Sequence, residues 1–180
     1  NGAALAGVHI CALAALWPGF FSWSALIVAA VLAYITGAIG VTLGYHRTLT
    51  HRSLRLRWGL EYVVATLGML ALQGAPIEWV ATHRVHHAHS DHEGDPHTTR
   101  QGLSWAHVTW LLFRNRYVPS REERAKHCPD LVNDPFYRAA SYLSIPLQIA
   151  LGLALLAIGG WSWVIWGIFV RLVFTYHTTW

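Results

Sequence analysis

The chain has 180 residues, of which 54% are hydrophobic and only 12% charged, with ten tryptophans; soluble domains carry about 25% charged residues, so an ordinary soluble domain is excluded and a membrane protein is indicated. The formal net charge is +4, but the basic residues are spread over loops facing a bilayer, a distribution that suits an anionic membrane surface rather than nucleic acid. The two cysteines occupy different surroundings, Cys11 in an apolar run and Cys128 in a polar loop, which argues against a disulfide framework and makes Cys11 a buried thiol.

In chain order, residues 3–17 form an apolar stretch ended by Pro18-Gly19, and residues 24–45 form an uncharged run long enough to cross about 30 Å of hydrocarbon. A later apolar pair, 139–158 and 161–180, is joined by Gly159-Gly160. Twelve of the thirteen Lys and Arg residues lie between Arg47 and Arg138, which puts that stretch on the cytoplasmic side by the positive-inside rule. The expected fold is all-α. It is one domain over residues 1–180, with two transmembrane helical hairpins (about four spans, near 3–17, 24–45, 139–158 and 161–180) flanking a cytoplasmic helical segment, 46–138. The start without Met and the stop inside an apolar run read as an interior fragment of a longer protein.

Residues 62–72 are apolar but shorter than a span, as core or re-entrant helices are. They are expected to pack under the cytoplasmic segment, which keeps both histidine clusters described next on one face of the membrane. The loop 119–135 is polar and turn-rich, and its Arg121-Glu122-Glu123-Arg124 run reads as a solvated helix face.

Five histidines carry the chemistry: His46 and His51 around Arg47-Thr48-Leu49-Thr50, and His83, His86 and His87 around Arg84-Val85. Neutral imidazole suits iron, copper and zinc far better than magnesium or calcium. On an α-helix His83, His86 and His87 share a face. His46 and His51 would diverge by about 140°, so their convergence requires the helix to end, bulge or bend between them. A zinc-protease helix needs Glu directly after its first His, where this chain has Arg84. A structural zinc site usually uses thiolates, and neither cysteine is near a cluster. Carboxylate-rich di-iron bundles use Glu-x-x-His pairs, which Glu61 and Glu78 do not form. An all-imidazole, oxygen-activating iron site fits better. Surface histidines without a metal would suit one such cluster better than two.

These residues, with Gly44-Tyr45-His46-Arg47, Gln73-Gly74-Ala75-Pro76-Ile77-Glu78-Trp79, Asp95-Pro96-His97, Asn133-Asp134-Pro135-Phe136-Tyr137 and His177-Thr178-Thr179-Trp180, resemble the membrane-bound fatty acid desaturase family of delta-9 type over nearly the whole chain. The resemblance implies an enzyme that inserts a cis double bond into a saturated fatty acyl chain, using O2, two external electrons and two Fe ions. It assigns His46, His51, His83, His86 and His87 as metal ligands, Gln73, Trp79 and Thr179 to the bend of an apolar substrate tunnel, and Trp180 to the neighbourhood of the acyl carbonyl. Trp79 and Trp180 would otherwise read as interfacial belt residues.

Metal-bound imidazoles usually donate their other ring nitrogen to a carboxylate or carbonyl, which makes Glu78 and Asp95 candidate orienting acceptors. His89, His92, His97 and His107 read as outer or surface histidines. Arg171 lies within the last apolar run and is a functional candidate, as intramembrane charges are. The resemblance further implies a third box of His-x-x-His-His form and an Asn-x-x-x-His pair beyond Trp180. Five histidines cannot fill two iron sites, so these 180 residues are expected to be inactive by themselves.

The Gln73–Trp79 stretch resembles the cyanobacterial and plant branch. Ala81 stands two positions before the second box, where the animal acyl-CoA branch carries a basic residue. Arg114 is kept, but its neighbour is the neutral Asn115. A fatty acyl lipid is therefore favoured over an acyl thioester, with ferredoxin or a cytochrome b-type protein as electron donor. The rival readings are a membrane di-iron hydroxylase or monooxygenase and a non-enzymatic metal- or haem-binding membrane protein. The haem-protein reading would put the histidines inside the spans rather than at their ends.

Overall fold

The computed structural model describes residues 2–179, the side chain of Trp58 excepted, and among them contains helices, turns and irregular segments but no strand. The all-α expectation holds. Two helical stretches are long and apolar enough to cross a membrane, Trp23–Thr50 and Ser144–Thr179, while Gly2–Leu16 and Gly59–Met69 are apolar but shorter. The expectation of four spans in two hairpins thus meets two stretches of spanning length. Trp180 lies outside the described residues.

Helix α1 covers Gly2–Ala12. Helix α2, Trp23–Ala33, starts where the Ser22 hydroxyl accepts the Ala25 N–H, satisfying one of the donors a helix start leaves open. It continues without a break into a π-helix, Tyr34–Thr50. There the hydrogen bonds run from residue i+5 to residue i, as from His51 N–H to the His46 carbonyl at 2.9 Å. Residues five apart therefore stack one turn above another.

The Ser144–Thr179 stretch is not one rod. Gly160 takes φ 64° and ψ −161°, a conformation that residues with a Cβ avoid. The two halves fold back on each other, so that Leu155 packs against Gly167, Ile168 and Leu172 and Gln148 lies beside Arg171. Leu5 and Val8 of α1 and Val28 and Leu32 of α2 complete this apolar cluster.

Helix α3, Trp58–Met69, runs antiparallel along the π-helix, with Gly44 against Val64 and Gly40 against Gly68. It lies beside the apolar helix and also packs against the polar segment, where Tyr62 stacks on Phe136 and Ala65 and Met69 join Leu131 and Tyr137 in one apolar cluster. A turn then feeds helix α4, Pro76–His89, whose Pro76 stands in the first turn, where a missing N–H costs nothing. Because α3 leaves the end of the π-helix and α4 returns to it, both histidine clusters lie together, as the one-sided arrangement requires. Beneath them Tyr45, Met69, Val80, Leu131 and Tyr137 form the second apolar cluster.

A Cβ at Gly40 would overlap the backbone of Leu67 and Gly68. Small residues permit such close helix contacts in membranes, so Gly40→Val should cost about 1–3 kcal/mol through overpacking, read as a lower melting temperature in detergent. Gly7, with open space around it, should accept Ala with no more than the ordinary effect of a surface substitution.

Cys11, expected to be a buried thiol, is exposed, whereas Cys128 is fully buried. An apolar helix can present its side chains outward to lipid, whereas the polar loop folds Cys128 under α4, where its thiol donates to the Arg124 carbonyl at 3.1 Å. Burial raises the Cys128 pKa to about 11, so the thiol stays protonated.

Candidate metal centre

The π-helix answers the geometric question about the first box. With i+5 bonding, His46 and His51 point the same way, and their Nε2 atoms are 3.0 Å apart. On α4, His83 and His87 sit one turn apart with the same 3.0 Å Nε2 separation. The two pairs face each other: the His46 and His83 ring centres are 4.9 Å apart, and those of His51 and His87 4.4 Å. The four ligand atoms all lie within 4.8 Å of one another.

Burial lowers the His83 pKa to about 2, helped by the positive potential that neighbouring imidazoles would add, and burial likewise lowers that of His87. Both rings are therefore neutral at pH 7 and have lone pairs to offer a cation.

His86, the fifth box histidine, stands outside this foursome. Its Nδ1–H donates to the buried Asp95 carboxylate at 2.9 Å, and its ring stacks on His97 at 4.1 Å. Asp95 also accepts the backbone N–H groups of Asp91 and His97. Burial opposes ionisation of Asp95, but these hydrogen bonds prevail and hold its pKa below the usual carboxylate value. His86 is thereby held with Nδ1 occupied and Nε2 available. Glu78 departs from the role expected of it: its carboxylate accepts from Arg124 at 2.8 Å instead of from an imidazole. Arg124 is correspondingly not just part of a solvated face.

The boxes are tied together by a clamp that sequence reasoning missed. Arg84 donates to both oxygens of Asp130 at 2.8 and 3.0 Å, to the Leu49 carbonyl at 2.7 Å and to the His127 carbonyl at 2.9 Å. Arg52, directly after the first box, reaches the same carboxylate at 2.6 Å. The available signal was an Arg following a box histidine in both clusters.

Beside the imidazoles lies a cavity of about 690 Å³, lined by His83, Trp79, Gln73 and Thr179 together with apolar groups from α1 and from Trp110–Phe113. Gln73 Nε2 donates to Thr179 Oγ1 at 2.6 Å, and the Trp79 ring lies 4.5 Å from His83 and 5.6 Å from Tyr45. Three of the four residues expected at the tunnel thus share one cavity, and the fourth, Trp180, is not described. His97 also lines it, closer to the centre than an outer histidine was expected to be.

The donor set fits iron chemically. It is made of clustered neutral imidazoles, one of them backed by a carboxylate, without thiolate, and first-row metals of iron's kind accept such ligands.

The family model described as fatty acid desaturase matches residues 21–180. Similar curated proteins include an sn-1 stearoyl-lipid 9-desaturase of Anabaena variabilis, 49% identical over 97% of this chain and 63% of its own length. A Synechocystis protein of the same name is 46% identical over 96% of this chain and 54% of its own. The chloroplastic palmitoyl-monogalactosyldiacylglycerol delta-7 desaturase of Arabidopsis thaliana is 40% identical over 99% of this chain and 47% of its own. The chain spans between 47% and 63% of the length of these relatives.

Proposed function

The chain belongs to the fatty acid desaturase family, and from that premise we propose that it serves as an oxygen-dependent desaturase acting on a saturated chain carried by a lipid, with the double bond entering at the delta-9 position. The observation that carries this reading is the convergence of both histidine boxes beside an apolar cavity. The lipid-linked substrate and delta-9 position follow the two relatives of highest identity among those named above.

His46, His51, His83 and His87 would hold iron, with His86 joining through its Nε2. Asp95 fixes the His86 tautomer. A complete iron centre would need further histidines, of the kind that the resemblance implies in a third box of His-x-x-His-His form. Bound iron would supply the oxidising power with which dioxygen removes two hydrogens from an unactivated CH2–CH2 pair. In balance, the pair, O2, two electrons and two protons become CH=CH and two waters. The electrons come from an external donor such as ferredoxin. The cavity excludes water from the acyl chain and keeps one carbon pair near the imidazoles, the entropic part of the work. Trp79, one helical turn from His83, forms part of its wall, and a hydrogen bond joins two further lining residues, Gln73 and Thr179.

In this reading the protein is one membrane-embedded domain with four spans, Gly2–Leu16, Trp23–Thr50 and the two halves of Ser144–Thr179. The basic segment between them stands on the cytoplasmic side in this reading, which the concentration of Lys and Arg there supports. The test is expression of the full-length protein in a host, with gas chromatography–mass spectrometry of its lipids. A monounsaturated product that depends on O2 and on the electron donor is expected. A hydroxylated product instead would assign the protein to the hydroxylases, and a haem absorbance band in the purified protein would overturn the iron reading.

A further inference from the structure

The most heavily buried cation in the described chain is not used by the metal centre. Arg171 is 1% exposed, and the groups that accept its hydrogen bonds are all neutral. Nε donates to the Gly167 carbonyl at 3.0 Å, and Nη1 donates to the Leu70 carbonyl at 2.6 Å and to Thr36 Oγ1 at 3.5 Å. With the Gln148 amide turned to satisfy its neighbours, Nη2 donates to the Gln148 oxygen at 3.0 Å, while the Gln148 nitrogen donates to the same Leu70 carbonyl at 3.1 Å. Burying a charge is costly unless it is well hydrogen-bonded, so this arrangement calls for an explanation beyond packing.

Leu70 supplies it. It caps the C-terminus of α3, where unsatisfied carbonyls carry partial negative charge and a cation is favoured. The chain then makes the irregular turn into α4, with Leu72 at φ 51°, a region that side chains such as leucine rarely adopt. Thr36, beside Arg171, belongs to the uncharged run of the first spanning stretch. Irregular backbone at such a place survives only if protein groups satisfy it. Arg171 and Gln148 hold the Leu70 carbonyl, the Tyr176 hydroxyl donates to that of Leu72 at 3.4 Å, and the Tyr45 hydroxyl donates to that of Gly74 at 3.4 Å.

This turn is also a wall of the cavity: Leu72, Gln73, Gly74 and Ala75 line it, facing Tyr176 and Thr179 of the last helix. Arg171 belongs to that last helix, Arg171–Thr179, and so binds one cavity wall to the other. We infer that Arg171 is a positioning residue that determines which carbon pair of the acyl chain is oxidised, by pinning the Leu70–Ala75 turn to the last helix with Gln148 as its relay. This rests on the reading of the cavity as the acyl site. A wall that slips by one carbon–carbon bond presents a neighbouring pair to the same metal centre, so a loosened pin mixes positional isomers while leaving the chemistry intact.

The test uses the full-length protein and measures the double-bond position in its products, as the ratio of minor to major isomer. The variants are Arg171→Met, Arg171→Lys and Gln148→Ala, with Tyr137→Phe as a variant that removes a hydrogen bond to Glu61 near the start of α3, at the opposite end of that helix from the turn. Arg171→Met should raise the minor fraction by about tenfold, the equivalent of 1.4 kcal/mol between competing transition states. Arg171→Lys and Gln148→Ala should raise it by smaller factors, and Tyr137→Phe should lower yield without moving the ratio. If Arg171→Met does not accumulate, the two milder variants decide. Accumulated Arg171→Lys and Gln148→Ala proteins with the wild-type isomer ratio would overturn the inference. A wild-type protein that makes no unsaturated product would instead overturn the desaturase reading beneath it.

Discussion

His83→Ala in the full-length protein should abolish formation of the double bond, a loss of more than about 100-fold, and should lower bound iron in the same samples. His83 stands where the parts of the site meet. Its Nε2 is 3.0 Å from that of His87, its ring is 4.9 Å from His46, and it also lines the cavity. Removing it takes away a ligand and leaves a hole beside the acyl chain. Asp95→Asn tests the next shell out: changes to groups that orient metal-bound histidines typically cost 10- to 100-fold, and the Asn retains part of the bond to His86. His127→Ala should remain close to wild type, because the clamp uses only the backbone carbonyl of His127, which alanine keeps. Iron per protein, measured by mass spectrometry beside the lipid analysis, separates a lost ligand from a misshapen cavity. A fully active His83→Ala enzyme would remove this residue from the metal site.

Arg84→Met should have a large effect on stability, because it removes the link between the end of the π-helix, α4 and residues 127–130. Breaking a buried ion pair costs about 3–5 kcal/mol. The side chains of Arg84 and Asp130 are 19% and 25% exposed, so a loss of about 2 kcal/mol is the reasonable scale here.

The same clamp fixes a pH dependence. Burial works against ionisation of Asp130, but the hydrogen bonds and charges of Arg84 and Arg52 overcome it and bring its pKa down to about 2 from 3.8. A carboxylate whose folded pKa is depressed contributes stability above its unfolded pKa and loses it as pH falls through the folded value. The contribution should therefore be complete above about pH 5 and disappear between about pH 4 and pH 2. Thermal melting in detergent across that range should show the decline in wild type and a flatter profile in Asp130→Asn. Equal slopes for the two proteins would show that the clamp does not control acid stability.

Much of this was legible in sequence because the information was local. The uncharged runs, the Gly159-Gly160 break and the i, i+3, i+4 spacing of His83, His86 and His87 are short-range patterns, and hydropathy and helical periodicity translate them directly into helices and faces. The chain therefore indicated by itself an all-helical fold with long apolar stretches and two histidine boxes, while the cavity residues were expected from the family resemblance.

Other features depended on which helices meet. The five-residue spacing of His46 and His51 looked like an obstacle until the backbone adopted π-helical bonding, which no α-helical projection anticipates. Glu78 and Asp95 were indistinguishable as candidate acceptors, yet packing gave Arg124 to one and His86 to the other. Cys11 is exposed where burial was expected, and Cys128 is buried although its loop is polar, because an outward face of an apolar helix and a folded polar loop invert what local composition implies. The Leu70 carbonyl is 101 residues from its partner Arg171, and Asp130 is 46 from Arg84. Such long-range pairings are chosen by the packing of whole helices, and so only the tertiary structure could decide them.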